Sequence, residues 1–398
     1  MDSTTALRPF YFLVTFWGGA YVDDFLDFCL ASLMAPGNLP ALKSTGWPCR
    51  IVICTTPADI VHLKTRPFFN QVAAGFPVDF IEFSGPGEGE GKMLTMSRGH
   101  VLLSSRAHRD RALAVYLTPD MIFSARAIDC VGRAARDGVR ALLVPAIRYS
   151  QEAVLDRFAK DGIRVGGLPL AVPERKLAEI GIESLHSETR RYEFEKPWFA
   201  TFPISVYWRA AAGMVLYTFS WAPMLLDYGA MDGAHDQSTF EKWTMDGDYV
   251  YRNFDQPGHT RIVTDSDELM LVTLTREADL RFDLKPHWAM RGELARRVAI
   301  ARCYRHPSMD PLKRRIFSTA TLIHTGSPDA GLRALRARSG EIIDRSIGAG
   351  FASAIGILLI LLDRRTYAPM IDSHAPLLGT VYRQLRNAWR RLFAPAAG

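Results

Sequence analysis

Short runs of β-branched and aromatic residues alternate with amphipathic segments along residues 10–148. Apolar runs that end at glycine, proline or turn residues are typical of buried strands. Apolar residues spaced three and four positions apart predict helices. The pattern predicts strands over residues 10–17, 50–56, 78–83, 112–117 and 140–146, and helices over residues 21–34, 92–107 and 127–137.

This alternation of strand and helix, repeated five times, predicts an α/β fold with a mostly parallel sheet flanked by helices on both faces. In such sheets the ligand crevice lies at the carboxyl ends of the strands. Those ends carry polar and glycine-rich sequence, which makes them the candidate site. They are residues 15–19, 55–56, 84–91 and 118–120.

Composition excludes several classes of protein. With 48% hydrophobic and 23% charged residues, the 398-residue chain is typical of a globular protein. Its five cysteines form no CxxC pair, which excludes the common zinc-site patterns and favours a reducing compartment. The first residues show no secretory signal, so a cytoplasmic location is expected. GxSxG and HExxH are absent, which leaves no basis for a hydrolase.

The most informative polar residue is Asp120, which lies just past the apolar run at 112–117. A carboxylate there would be desolvated unless it had a partner, and a divalent metal on a nucleotide diphosphate is a suitable one. Lys92 follows the glycine-rich loop 84–91 at a helix start, where a cation and backbone N–H groups could meet a phosphate. The alternatives are a turn-capping Asp120 and a solvated Lys92.

Residues 92–146 resemble the central part of GT-A nucleotide-sugar glycosyltransferases. The shared features are a polar helix (KMLTMSRGHVLL), a strand that ends in a DxD motif, an apolar step, a helix and another strand. Thr118-Pro119-Asp120 takes the place of DxD and lacks its first carboxylate. The resemblance covers residues 10–148 and implies a GT-A or Rossmann-like fold.

The resemblance implies a nucleotide-diphosphate sugar as donor and Mn²⁺ or Mg²⁺ as cofactor, with Asp120 as metal ligand. The first strand end and Thr55 would lie along the donor, Lys92 or Arg148 near the diphosphate, and Thr118 at the ribose or uracil. The implied donor residues are Thr15, Trp17, Thr55, Lys92, Thr118, Asp120 and Arg148.

The second half of the resembled domain would supply a catalytic base or a late metal ligand for a glycan or glycolipid acceptor. A carboxylate can deprotonate an acceptor hydroxyl, and an acidic pair in a loop can chelate a cation. Solvated turns are the alternative for each acid. The candidates are Asp236, Asp246, Asp248, Asp265 and Asp267. If catalysis has been lost, the same fold would serve as a binding or scaffold protein.

The rest of the chain divides by composition. Residues 1–150 are assigned to the donor-binding half, 151–275 to the acceptor half, 276–345 to a helical extension and 346–398 to a membrane-associated tail. The aromatic-rich stretch 190–228 is interpreted as core, with an acceptor cleft as the alternative.

Charge concentrates at the carboxyl-terminal end. Residues 291–398 hold 18 Lys and Arg against 7 Asp and Glu, whereas residues 1–290 are net acidic. Residues 346–362 carry no charge over a length of about 26 Å, just short of a bilayer core of about 30 Å. This segment is therefore predicted as either a span or a buried helix.

Residues 378–393 predict a basic amphipathic helix. Its apolar face carries Leu378, Val381, Tyr382, Leu385, Trp389, Leu392 and Phe393, and Arg383, Arg386 and Arg390 lie off it. An anionic membrane surface, at the inner face, is the expected partner. A terminal helix docked on the domain is the alternative. Nucleic acid is not expected, because the basic residues interleave with apolar ones.

Overall fold

The computed structural model describes residues 7–231, 233–256, 258–286, 292–351 and 354–355. Its strands are β1 Phe10–Thr15, β2 Cys49–Thr55, β3 Val78–Glu82, β4 Leu113–Leu117, β5 Met121–Phe123, β6 Ala141–Pro145, β7 Arg148–Ser150, β8 Ser205–Ala210, β9 Gly213–Thr218, β10 Trp221–Asp227, β11 Thr260–Ile262, β12 Leu271–Thr275 and β13 Thr321–His324.

The α-helices are α1 Gly19–Asp24, α2 Ala31–Leu33, α3 Leu39–Ser44, α4 Pro57–Lys64, α5 Pro67–Gly75, α6 Lys92–Arg109, α7 Ala127–Arg136, α8 Gln151–Lys160, α9 Glu174–Glu183, α10 Ser187–Arg190, α11 Tyr249–Asn253, α12 Glu293–Tyr304, α13 Pro311–Phe317 and α14 Ala330–Ile347. A π-helical turn, Phe25–Leu30, joins α1 to α2.

Several helices begin where the sequence places a capping side chain. The Thr56 hydroxyl accepts from the backbone N–H of Asp59 at the start of α4, and Pro57 occupies the first turn. Asp310 and Asp329 cap α13 and α14 in the same way, at 2.8 and 2.7 Å. Each cap satisfies a backbone donor that the helix itself leaves unpaired.

The main sheet is mixed and largely parallel, with the order β11-β6-β10-β4-β1-β2-β3. β1 pairs in parallel with both β2 and β4, β2 pairs in parallel with β3, and β11 pairs in parallel with β6. β10 runs antiparallel between β4 and β6. Along the sequence, β1 is followed by β2 and β3, which lie on one side of β1 in the sheet. The next strand, β4, lies on the other side of β1. The sheet therefore has a switch point between β1 and β4.

Helices cover both faces of this sheet, as the alternation along β1 shows. Phe10, Phe12 and Val14 belong to one buried cluster. Tyr11 and Leu13 belong to a second cluster on the opposite face, with Leu103 of α6. Because successive strand residues point to opposite faces, a continuous apolar run of this kind needs cover on both.

Two three-stranded sheets adjoin the main one. The first has the order β5-β12-β7 and continues from the end of β4. The second has the order β13-β9-β8 and packs against α12, α13 and α14 through a third buried cluster.

The predicted α/β class and the five predicted strands of the first 148 residues are confirmed, with ends that shift by one or two residues. The predicted helix at 21–34 is found as α1, the π-helical turn and α2. The antiparallel β10 was not predicted. Its residues were assigned only to the aromatic stretch, where Tyr207, Trp208 and Tyr217 are core, as interpreted.

The region 276–345 is not entirely helical, because β13 lies within it and completes a sheet with β9. Most of the predicted tail, including the whole of 378–393, lies outside the described residues. Among the residues that the structure describes, none of the helices is long and apolar enough to cross a membrane.

Candidate functional site

A cavity of about 560 Å³ opens at the carboxyl ends of β1, β4 and β6. The switch point between β1 and β4 lies at its floor. Trp221 also reaches it, because β10 is antiparallel and begins beside Pro145 at the end of β6. Its charged and ionisable lining residues are Tyr21, Lys92, His100, Tyr116, Asp120, Arg148, Glu188, Tyr192 and Asp246.

The end of β1 is held tightly beneath α6. Thr15 is buried, and a Cβ atom added at Gly99 would overlap its hydroxyl oxygen. Two residues further along, Trp17 lines the cavity and packs edge-on against Phe83 at 6.0 Å. The glycine in α6 therefore permits the close approach that brings Lys92 and His100 over the strand ends.

Asp120 occupies the cavity wall one short step past β4. Its backbone carbonyl accepts from the N–H of Leu274 at 2.9 Å, which ties the turn to β12. The Thr118 hydroxyl donates to its carboxylate. Burial raises the pKa of the Asp120 carboxyl above its usual value, and the Thr118 hydrogen bond and the charge of Arg148 oppose that rise. A cation placed here would stabilise the ionised form.

Lys92 and Arg148 supply positive charge to the same cavity. Lys92 is exposed at the first position of α6. Arg148 is half-exposed; its Nε lies 3.2 Å from the Glu188 carboxylate, and its Nη1 donates to the Thr275 hydroxyl at 3.2 Å. A diphosphate entering the cavity would meet both cations.

Glu188 was not predicted from the sequence. Its side chain is 12% exposed, and it accepts from the Tyr192 hydroxyl at 2.9 Å. The short helix α10, which begins after His186, sets its position. A Ser-Glu pair opening a helix next to the aromatic-rich stretch was the available signal, but such pairs are common at ordinary helix starts.

His100 was also missed. It is buried, accepts from the backbone N–H of Met245 at 3.2 Å and lies edge-on to Tyr116 at 6.1 Å. Burial lowers its pKa from 6.5 to about 4, against the opposing charge of Asp246. The imidazole is therefore neutral at pH 7 and serves as a hydrogen-bonding element of the wall.

A chain of hydrogen-bonded phenols runs from the cavity wall towards His235. Tyr116 bonds Tyr228 at 2.5 Å, Tyr228 bonds Tyr249 at 2.7 Å, and Tyr249 bonds His235 Nε2 at 2.6 Å. All three phenols are buried. Because each hydroxyl is satisfied by the next, the chain fixes the wall without leaving an unpaired polar group.

The structure brings together most of the predicted donor residues. Thr15, Trp17, Lys92, Thr118, Asp120 and Arg148 all line the cavity. Thr55 is not among the lining residues. It is fully buried, and its hydroxyl donates to Asp59 at 3.2 Å, so its role is to hold the start of α4.

Of the five predicted acids, Asp246 alone lines the cavity, where the Thr244 hydroxyl donates to it. Asp236 and Asp248 lie outside the lining and both pair with Arg252, at 3.2 and 2.6 Å. Those two carboxylates are therefore held by a neighbouring cation away from the cavity.

Asp265 and Asp267 also lie outside the cavity lining, close to His324, and the possible ligand atoms of the three lie within 4.8 Å of one another. His324 Nε2 lies 2.8 Å from Asp265, and Arg175 binds Asp267 in a bidentate contact. The residues have the chemistry of metal ligands, but imidazole and guanidinium contacts already engage both carboxylates.

Comparison with known proteins adds no assignment. No family model matches the chain, and no curated protein sequence matches it significantly.

Proposed function

We propose that the protein is a GT-A-like glycosyltransferase that moves a sugar from a nucleotide-diphosphate donor to a glycan or glycolipid acceptor. The cavity at the switch point supports this, because open α/β sheets bind their ligands at that position. Its volume of about 560 Å³ falls within the range of roughly 300 to 1,000 Å³ that is typical of small-molecule sites.

One observation carries the proposal: Asp120, Lys92 and Arg148 line a single cavity. A nucleotide diphosphate presents an anionic bridge between an apolar base and a polar sugar. Lys92 and Arg148 provide the positive charge for that bridge. Trp17 and Trp221 provide flat apolar surfaces in the same cavity.

Asp120 would hold the divalent cation that the resemblance implies. The Asp120 carboxylate suits a cation for two reasons. Burial raises its pKa, and the side chain that donates a hydrogen bond to it is the uncharged Thr118 hydroxyl. Mg²⁺ is commonly bound through one or two carboxylates plus phosphate oxygens. When bound, such a cation neutralises charge that develops on the departing diphosphate.

Two carboxylates besides Asp120 line the cavity. Asp246 is exposed and near His100, whereas Glu188 is almost buried between Arg148 and Tyr192. A general base must lie within hydrogen-bond reach of the proton it removes. We assign Glu188 or Asp246 to this role. Asp236, Asp248, Asp265 and Asp267 are no longer candidates, since they lie outside the cavity lining.

The competing hypothesis is a non-catalytic binding protein of the same fold. It is favoured by Thr118, which stands where the first carboxylate of a DxD motif would be. Both hypotheses expect nucleotide binding, but only the first expects turnover of the donor.

Binding is tested by calorimetric titration of the full chain with UDP, GDP, ADP and TDP, with and without Mn²⁺. We expect one of these to bind with cation dependence, and Asp120→Asn to lose that dependence. Asp129→Asn, an exposed carboxylate on α7, is the matched control and should bind like the wild type. If no nucleotide binds at millimolar concentration, the donor site is absent.

A further inference from the structure

Three large apolar side chains are exposed beside the mouth of the cavity. Met93 and Leu94, in the first turn of α6, are 44% and 42% exposed, and Trp243 is 53% exposed. We call these three residues the apolar rim. Removing such side chains from water on ligand binding is favourable. Exposed apolar groups that gather beside a cavity are typical of a ligand-binding groove.

The two parts of the rim are fastened to each other. The Ser97 hydroxyl oxygen lies 2.9 Å from the carbonyl oxygen of Met93 and 2.8 Å from that of Trp243. One turn further along α6, His100 accepts from the backbone N–H of Met245 at 3.2 Å. These contacts hold the loop against the start of α6. A surface that is already fixed loses little conformational entropy when a ligand binds to it.

The rim is continuous with the cavity. In α6, its two residues lie between Lys92 and Met96, both of which line the cavity. In the loop, Trp243 directly precedes residues 244–246, which line the cavity as well. A ligand that projects from the cavity past the start of α6 would therefore meet the rim.

Charge and area narrow the choice of partner. The exposed ionisable residues within three sequence positions of the rim are Lys92, Lys242, Glu241 and Asp246, whose charges cancel. A polyanion such as a nucleic acid therefore finds no net positive charge there. The exposed parts of the three rim side chains add up to an area on the order of 250 Å². Each partner in a stable protein complex buries roughly 800 Å², so the rim suits a single hydrocarbon chain better than a second protein.

We propose that the apolar rim binds the hydrocarbon chain of a lipid-borne acceptor whose polar head lies in the cavity. The unbranched side chain of Met93 adapts to a flexible chain, and the Trp243 ring offers it a broad apolar face. The assignment rests on the proposed function, because it names the class of acceptor that the same cavity takes. It narrows that acceptor from any glycan to one carried on a hydrocarbon chain.

The experiment is calorimetric titration of the full chain with maltose and with hexyl, octyl and decyl maltoside, each below its critical micelle concentration. These uncharged probes differ only in the chain. Full burial of one methylene group strengthens binding about fourfold. Contact on one side of the chain should give about twofold per methylene, so the affinity should rise about sixteenfold from hexyl to decyl maltoside. Maltose should bind more weakly than any of the three.

The variant Met93→Gln/Trp243→Gln should reduce the ratio between decyl and hexyl maltoside to about fourfold or less. The matched control, Val61→Gln/Leu294→Gln, removes two exposed apolar side chains from α4 and α12 and should keep the wild-type ratio. Urea denaturation should show both variants to be as stable as the wild type, because all four side chains are exposed.

A wild-type affinity that does not change with chain length would overturn the proposal, and so would equal ratios in the wild type and the rim variant. Maltose that binds as tightly as decyl maltoside, and is lost from the rim variant, would replace the chain with a glycan. Self-association that the rim variant lacks would replace it with a second copy of the protein.

Calorimetric nucleotide binding should survive in the rim variant, which keeps Lys92, Asp120 and Arg148. Nucleotide binding without any effect of chain length would refute the rim proposal alone. An effect of chain length in a protein that binds no nucleotide would refute the proposed function and leave a groove for an alkyl chain. The two proposals therefore fail separately.

Discussion

The close approach of α6 to β1 gives a prediction about how the cavity is held. A Cβ added at Gly99 would lie 2.8 Å from the Thr15 Cβ and 3.1 Å from its Cγ2, and would overlap its hydroxyl oxygen. The Thr15 Cβ cannot move without moving β1, which lies between β2 and β4. The substitution Gly99→Ala must therefore displace α6 from the sheet.

The expected change in the free energy of unfolding of Gly99→Ala follows from two opposing effects. Overpacking a core by one methyl group typically costs about 1 to 3 kcal/mol, and this contact is among the severe ones. Replacing glycine by alanine within a helix returns about 1 kcal/mol. We therefore expect Gly99→Ala to lower the free energy of unfolding by about 2 kcal/mol, measured by urea denaturation.

Gly75→Ala is the matched control, because Gly75 ends α5 and nothing lies within 4 Å of its added Cβ. It should be neutral or stabilising. The double variant Thr15→Ala/Gly99→Ala should recover part of the loss, since it removes the hydroxyl and Cγ2 from the contact. A Gly99→Ala protein as stable as the wild type would refute the inferred packing of α6.

Two further predictions concern buried polar groups. Tyr249→Phe breaks the phenol chain and removes one hydrogen-bond partner each from Tyr228 and His235. Urea denaturation should therefore show a loss of about 1 to 3 kcal/mol in the free energy of unfolding. Full stability in that variant would mean that water replaces the hydroxyl. The pKa of His100 is about 4 in the folded protein and about 6.5 in the unfolded chain. Between these pH values the unfolded chain binds more protons, so the free energy of unfolding should fall as the pH drops from 6.5 to 4. The contribution of this group is at most about 3 kcal/mol. His100→Gln should flatten that part of the stability profile, and an unchanged profile would contradict the burial argument.

The sequence predicted a strand correctly where a single physical rule determines its position. Apolar runs such as 10–17 and 112–117 must be buried on both faces, so strands β1 and β4 followed directly from periodicity. β10 differs, because its run of WAPMLLD contains a proline and continues an aromatic stretch. Its antiparallel insertion between β4 and β6 depends on contacts between residues more than 70 positions apart.

The candidate site shows the same division. Asp120 was found because a carboxylate just past an apolar strand is conspicuous, and Lys92 because it follows a glycine-rich loop. Glu188 and His100 gave no such signal, since each reaches the cavity only through the packing of its helix. Thr55 was misplaced into the site because its strand end is polar, whereas its hydroxyl is engaged by Asp59.

Release of nucleoside diphosphate from nucleotide sugars tests glycosyl transfer most directly. The full chain would be incubated with a panel of UDP-, GDP- and TDP-sugars and Mn²⁺, with and without a total lipid extract as the source of acceptor. We predict release above background for one donor, stimulation by the extract, and loss of both in Asp120→Asn but not in Asp129→Asn. A nucleotide that binds in the cavity while every sugar donor stays intact would contradict glycosyl transfer and leave a binding protein.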